Sequence, residues 1–410
     1  MITTIEITLL SIAGFFIVYL TALSVLALLA RKENNIITSG IRRFAVVVPA
    51  HNEELSIEKT LRSLLSIEYP QGYFDVIVIA DNCTDATARI AKTCGAIVYE
   101  RTNADLRGKG YALRWCFDQL LVKQPQYDGI VVIDADSTAS GNFLSVMNYY
   151  LERGAYAVQC SDMVAPQPGA WSSEITRLGF TLYNHVRPLA RRLFGFSAGL
   201  RGNGMCFTAD TLREVPWNTY SLNEDLEYGL VLLLQNKPIA FAPEAKVYAT
   251  MPSTATNAES QRSRWEKGRS PVIRKYFFPL LRAAIKNFSL KPLDACIDLV
   301  IPPFVNLVAF VIVMLCITAT LLALGITEAG IFLIPWSLLL ALSFFHVLIG
   351  LYAANADRGL YIALLLIPRY AIWKLLLYAK IYRRGTTTEW VRTTRDEVSA
   401  PALSEKGAKQ

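Results

Sequence analysis

Charge is missing from three long stretches of this chain and frequent almost everywhere else. Ile7 to Ala30, Leu299 to Thr327 and Ala329 to Asn355 contain no Asp, Glu, Lys or Arg. Each is long enough to cross a hydrocarbon core of about 30 Å as a helix. Between Arg31 and Asp298 the mixture is that of an ordinary water-soluble protein. The pattern predicts an N-terminal anchor over 1–31, a soluble domain, and a membrane region over 299–382. A cleaved signal peptide is the other reading of the first run. No basic residue precedes it, however, it is long for such a segment, and Arg31, Lys32, Arg42 and Arg43 follow it. Basic flanks stay on the cytoplasmic side. The expectation is therefore a multi-pass protein of the cell membrane, with its soluble domain and its tail, 383–410, in the cytosol. The link Gly325 to Gly330, with Glu328 and no Lys or Arg, suits the outer face. Gly359 to Tyr382, interrupted by Pro368, Arg369 and Lys374, reads as a further crossing or as an interfacial helix. The second keeps Arg383 and Arg384 inside.

Within the soluble part the hydrophobic period alternates. Phe44 to Ala50 is a continuous apolar run rich in valine, as expected of a strand buried on both faces. Helix over 53–66, strand over 74–80, helix over 84–94, strand over 96–99, helix over 108–122 and strand over 129–133 follow. This rhythm predicts an α/β fold: a mainly parallel sheet with helices on both faces and ligands beyond the carboxyl ends of its strands. Further helices are expected over 171–196 and 223–235, and an interfacial amphipathic helix over 271–298. Arg187, Arg191 and Arg192 on the first of these suggest that it too lies at the membrane surface; packing within the domain is the alternative.

Composition changes this picture little. The chain is 53% hydrophobic with a net charge of +7. Its densest basic part, Arg262 to Lys275, adjoins the membrane region, so anionic lipid or phosphate is expected as a partner and nucleic acid is not. Seven cysteines without a C-x-x-C pair fit buried thiols in a reducing compartment.

The strand ends carry the chemistry. His51-Asn52-Glu53 follows the first strand, Asp81-Asn82 the second, and Asp134-Ala135-Asp136 the one over 129–133. Singly, each acid reads as a helix cap or, for Asp81, an Asx-turn. Converging carboxylates repel unless a cation joins them, and an oxygen-only set suits Mg²⁺ or Mn²⁺. Arg107-Gly108-Lys109-Gly110 opens a helix, where Lys109 meets a phosphate or a base or is simply solvated. Gln261, Arg264 and Trp265 share one helical face.

Five elements occur in order: Val48-Pro49-Ala50-His51-Asn52-Glu53-Glu54, Asp81, Asp134-Ala135-Asp136, Asn223-Glu224-Asp225 and Gln261-Arg262-Ser263-Arg264-Trp265. The set resembles the family 2 inverting glycosyltransferases of the GT-A fold, especially the membrane branch of cellulose, chitin-oligosaccharide and hyaluronan synthases. It is also similar to ceramide glucosyltransferases. The resemblance implies a cytosolic GT-A (nucleotide-diphospho-sugar transferase) domain over 42–275. It implies a donor pocket of Ala50, Asn52, Glu53, Asp81, Lys109, Asp134 and Arg264, with Asp81 on the base. A metal would sit on Asp136, with Asp134 on the metal or the ribose. Asp225 would be the general base, with Glu224 orienting it. The acceptor would meet Gly202, Asn203, Gly204, Gln261 and Trp265. Trp390 to Arg395 resembles a C-terminal segment that returns to the pocket in synthase relatives.

The expected activity is transfer of a sugar, with inversion, from a UDP-sugar to a polysaccharide or oligosaccharide, as a processive β-glycan synthase. Few crossings leave little material for a polymer channel, unless subunits of an oligomer share one. The alternative is a single addition that makes a glycolipid. A non-catalytic nucleotide-binding receptor or transporter would leave Asp225 and Trp265 without a purpose.

Overall fold

The computed structural model describes residues 2–30, 33, 36–122, 126–167, 169–251 and 255–384. The expected segment Trp390 to Arg395 and most of the tail lie outside them. A long apolar helix, α1 (Ile2–Ala27), leads into β1 (Phe44–Ala50), α2 (Ile57–Leu65), β2 (Phe74–Asp81), α3 (Thr87–Thr93), β3 (Ile97–Arg101), α4 (Lys109–Leu120) and β4 (Gly129–Val132). These strands make the parallel half of one eight-stranded sheet, in the order β3-β2-β1-β4. The apolar run of β1 is explained by that position. Ala45 and Val47 enter a core with Leu113 and Phe117 of α4, whereas Phe44, Val46 and Val48 enter another with Leu61 and Leu64 of α2.

Beyond β4 come β5 (Ser137–Ala139), α5 (Phe143–Glu152) and β6 (Ala157–Val164). Then follow α6 (Trp171–Phe180), a π-helical segment (Thr181–Val186), α7 (Arg187–Arg192), β7 (Met205–Thr208), α8 (Ala209–Glu214), α9 (Glu224–Leu234) and β8 (Ile239–Ala249). The order continues β4-β7-β6-β8-β5, with β7 antiparallel to both neighbours and β5 antiparallel to β8. Four of the seven neighbouring pairs are parallel, so the sheet is mixed, with its parallel part under the predicted strand ends.

The remaining helices are α10 (Ala255–Lys286), α11 (Leu290–Val300), α12 (Phe304–Ala323), α13 (Leu333–Ala353), α14 (Arg358–Ala363) and α15 (Ile367–Arg384). Among the described residues, three helical stretches are long and apolar enough to cross a membrane: Thr3–Ala27, Phe304–Ala323 and Glu328–Ala353. One expected helix needs correction. The helix expected over 271–298 is the end of α10 plus a separate α11, because the chain turns at Phe288 with φ +46°. For the stretch over 171–196, packing within the protein is the reading observed. Arg187 pairs with Asp298 at 2.9 Å, and Arg191 reaches Asp294 at 2.7 Å and Asp298 at 3.0 Å, all buried. Tyr19 of α1 donates to the same Asp294 at 2.6 Å, so this ionic knot fastens the sheet domain to α11 and to the N-terminal helix. The 359–382 stretch is not one long helix: α14, a 3₁₀ turn and α15 dock against α6.

Candidate functional site

Where the strands of the parallel half end, the backbone breaks into left-handed conformations. Asn52 and Asn82, at φ +56° and +51°, end β1 and β2, and Asn tolerates that region because its short amide bonds locally. The Asn52 side chain accepts from the Thr84 N–H at 2.7 Å, and that of Asn82 from the Asn103 N–H at 2.8 Å. The main chain of Glu53 is held by the Thr87 hydroxyl at 2.7 Å, and His51 contacts the Asp81 carbonyl at 2.7 Å. These turns open a cleft of about 1450 Å³, lined by Ala50, Asn52, Glu53 and Asp81 on this side.

Asp81 sits opposite Arg101 in the β2–β3 register, and the guanidinium donates to its carboxylate at 2.5 Å. The two side chains are only 9% and 6% exposed. Lys109, at the first turn of α4, donates at 2.5 Å both to Asp134 and to the Gly202 carbonyl, and so bridges the two halves of the sheet. Burial works against the Lys109 charge, but Asp134 and Glu224 outweigh it and its pKa is raised. The expected crowding of strand-end acids is therefore relieved in part by the protein itself, since Asp81 and Asp134 each have a cationic partner.

Asn203 organises what remains. Its side chain accepts from the Asp134 N–H at 3.0 Å and donates to the Ser137 hydroxyl at 3.0 Å and to Asp162 at 3.2 Å. Ser137 in turn donates to Asp136 at 3.0 Å. Asp162, on β6, has no counterpart among the predicted residues. Burial, then the charges of Asp134 and Asp136, raise its pKa well above the ordinary value for an aspartate. The negative field of the pair thus persists despite Lys109. Among the described residues, no three His, Cys, Asp or Glu side chains are grouped so as to hold an ion alone. Asp134 and Asp136 nevertheless supply the two hard oxygens that Mg²⁺ or Mn²⁺ takes when phosphate completes its shell, so the residues present fit such an ion.

At the opposite wall, α9 begins with Glu224 and Asp225. Burial, then the neighbouring Asp225 charge, pushes the Glu224 carboxyl up to about 7, and Asp225 is raised as well, chiefly by burial. Gly202 faces them in a left-handed conformation, φ +82°, and a Cβ there would lie 3.1 Å from the Asp225 carboxylate. No other residue fits without displacing that group. Gln261, Arg264 and Trp265 of α10 complete the lining. Gly204 does not line the cleft: at φ +65° it packs beneath, against Cys160 and Val247. Of the predicted site residues it alone stands outside the lining.

Arg101 could have been found, because it ends the strand after Asp81. Asp162 could not, since nothing marked β6. Arg262, inside the Gln261 to Trp265 motif, has a different task from Arg264. Its guanidinium turns away from the cleft, donating to the Ser172 carbonyl at 3.1 Å and lying over the rings of Tyr370 and Trp373 at 5.0 and 4.8 Å.

A mixed sheet whose parallel strand ends present Asp-x-Asp across a cleft from a second acidic pair is the GT-A arrangement of nucleotide-sugar transferases. The family model described as "Glycosyltransferase like family 2" matches residues 42–268, more than half of the chain, and the chain belongs to that family. A β-monoglucosyldiacylglycerol synthase of Nostoc is 29% identical over 65% of this chain and 58% of its own length. A poly-β-1,6-N-acetyl-D-glucosamine synthase of Staphylococcus epidermidis is 24% identical over 62% of this chain and 60% of its own. The chain thus spans about three fifths of the length of these relatives. Among solved structures, a Pyrobaculum calidifontis mannosyltransferase in complex with GDP-Man and Mn²⁺ superimposes with a TM-score of 0.55. That match covers 87% of this chain and 100% of that one at 15% identity, and it shows the GT-A fold.

Proposed function

We propose that this protein is a membrane glycosyltransferase that transfers a sugar from a UDP-sugar to an acceptor hydroxyl with inversion at the anomeric carbon. The observation that carries the reading is the convergence of Asp134, Asp136, Lys109, Glu224, Asp225 and Arg264 on one cleft. In this reading Asp81, held rigid by Arg101, accepts from the base, and Ala50, Asn52 and Glu53 shape the same pocket. Asp136 and Asp134 hold a divalent ion, whose chemistry there is to neutralise charge on the departing diphosphate. Arg264 and Lys109 add fixed positive charge at the phosphates. Asp225 takes the acceptor proton as its oxygen attacks, and its raised pKa makes it a stronger base than an exposed aspartate. Direct displacement needs no enzyme nucleophile. Trp265 offers a plane for the acceptor, Gln261 a hydroxyl partner, and the backbone from Gly202 to Gly204 the floor.

The three apolar stretches support a multi-pass arrangement with the cleft on the cytosolic side, where Arg42 and Arg43 lie. The helical hairpin of α12 and α13 would then return the chain to that side. The relatives' names divide between a glycolipid and a polysaccharide product and leave the acceptor class open. The test is turnover: purified protein should release UDP from at least one donor of a labelled UDP-sugar panel, stop with EDTA and resume with Mn²⁺ or Mg²⁺. Donor turnover that ignores chelation would remove the metal from this scheme.

A further inference from the structure

The wall of the cleft around Trp265 is unlike the rest. Phe180 and Trp265, ring centroids 5.9 Å apart, pack with Met251, Val164 and Ala249 into a separate apolar cluster. An extended glycan needs polar partners along its length, whereas this wall offers ring and thioether surface. The cations nearby are engaged. Lys109 holds Asp134, Arg201 stacks on Tyr183 at 4.1 Å, and Arg269 donates to the carbonyls of Asp298 and Leu299 at 2.8 and 3.0 Å. Arg107 stands at the other end, donating to the Ala104 carbonyl. With Arg264 and Lys109 placed at the leaving diphosphate, no further unengaged cation lines this wall for an acceptor phosphate among the described residues.

The helices that build the wall turn apolar surface outward. Arg262 fastens α10 to α6 and α15, and on α15 the side chains of Ile372 and Leu376 are 63% and 61% exposed. Past the motif, α10 exposes Phe278 and Ile285 beside Arg282 and Lys286, the composition of an interfacial helix. The seam between the candidate spans is solid. Ala13 and Ile17 of α1 meet Val311 and Met314 of α12 and Trp336 of α13, all buried. Above them Trp336 and Thr318 donate to the buried Glu6 at 2.8 and 3.1 Å. A hydrated glycan crossing the bilayer needs a water-filled path, and at this seam the side chains pack against one another instead.

From this packing we infer that the acceptor is a neutral membrane lipid with a free hydroxyl headgroup. One sugar is added to it and the product stays in the bilayer. This rests on the glycosyl-transfer reading above. The acceptor oxygen gives its proton to Asp225 and bonds to the anomeric carbon as the bond to the UDP oxygen breaks, so UDP and glycolipid form in equal amounts.

The test uses full-length protein in mixed micelles carrying diacylglycerol, ceramide, polyprenyl phosphate or no lipid acceptor, each with the labelled donor panel. The expected result is label in a chloroform-soluble product with one sugar per lipid, from the diacylglycerol or the ceramide arm, and one UDP released per product. A polymer, or label confined to the polyprenyl phosphate arm, overturns the inference while leaving sugar transfer intact. No UDP release and no label in any fraction overturns the underlying reading and this one with it. Met251→Gln should raise KM for the lipid about tenfold and KM for the donor less than twofold; equal rises would mean a general loss of structure and count against the wall.

Discussion

The two ends of the cleft are built differently. At the end assigned to the donor, charge answers charge: Arg101 holds Asp81, Lys109 holds Asp134, and Asn203 ties Asp134 to Asp162. The elements there are parallel strands and the first turns of the helices after them. At the acceptor end Phe180 of α6, Trp265 of α10 and Met251, just past β8, form an apolar wall, with α10 fastened to α6 through Arg262. A preorganised polar site suits a ligand whose charge changes during the reaction. An apolar wall suits a ligand that arrives from a bilayer. The sharpest test of this division is at Asp225, where the two ends meet. Asp225→Asn should reduce transfer about 10³-fold, in the range expected for loss of a general base, and leave UDP affinity within about threefold. Calorimetric titration with UDP, run beside the transfer assay, separates these. Near-normal turnover would remove Asp225 as the base, and lost UDP binding would make it part of the donor end instead.

The next largest effect belongs to the donor end alone. Arg101→Leu leaves the Asp81 carboxylate buried without its partner. Breaking such a pair costs about 3–5 kcal/mol, seen as a lower thermal midpoint. Replacing both residues by leucine should recover most of that stability, because two apolar side chains can fill the space of a buried pair. Donor binding should not recover, because the base has lost its acceptor. A double variant that binds donor normally would reduce Asp81 to a structural residue, which is the Asx-turn reading of the sequence.

How much of this was legible in the sequence follows the same division. The parallel half could be read because its rules are local: a valine-rich run for a strand covered on both faces, an acid after each strand, glycines about Lys109. The acids after β1, β2 and β4 and the glycines about Lys109 reach the cleft. The antiparallel half was mostly missed. β6 and β8 take their places from pairing with β7 and with each other, across a register shift between Cys160 and Ser161, and no periodicity marks that. Asp162 was hidden with them. The arginines of 187–192 left two readings open because a basic helix at a membrane and a basic helix over Asp294 and Asp298 look alike until α11 is in place. Gly204 is grouped with Gly202 by the family resemblance, although its φ of +65° serves packing against Cys160. The motifs of a polymer synthase belong to the chemistry common to both product classes. The filled seam of α1, α12 and α13 is what favours a lipid, and only three-dimensional packing reveals it.

The smallest predicted effect asks whether the acidic pair acts as a unit. Burial and Asp225 push the Glu224 carboxyl up to about 7, above its ordinary value of 4.5, so the folded protein holds this proton more tightly than the unfolded chain does. Stability from this group is therefore complete below pH 4.5 and declines as the pH rises towards 7, where a buried charge must be carried. Glu224→Gln removes that charge. Its thermal midpoint should exceed that of the parent by a few degrees at pH 8 and match it near pH 4.5. In the same variant Asp225 loses a negative neighbour and ionises more easily. The acid limb of kcat/KM, which belongs to the pair rather than to either residue, should move to lower pH. If the limb stays while the thermal gain appears, Glu224 is a strained structural acid and Asp225 titrates independently of it. If both move together, the two carboxylates share one titration at the point where donor and acceptor ends join.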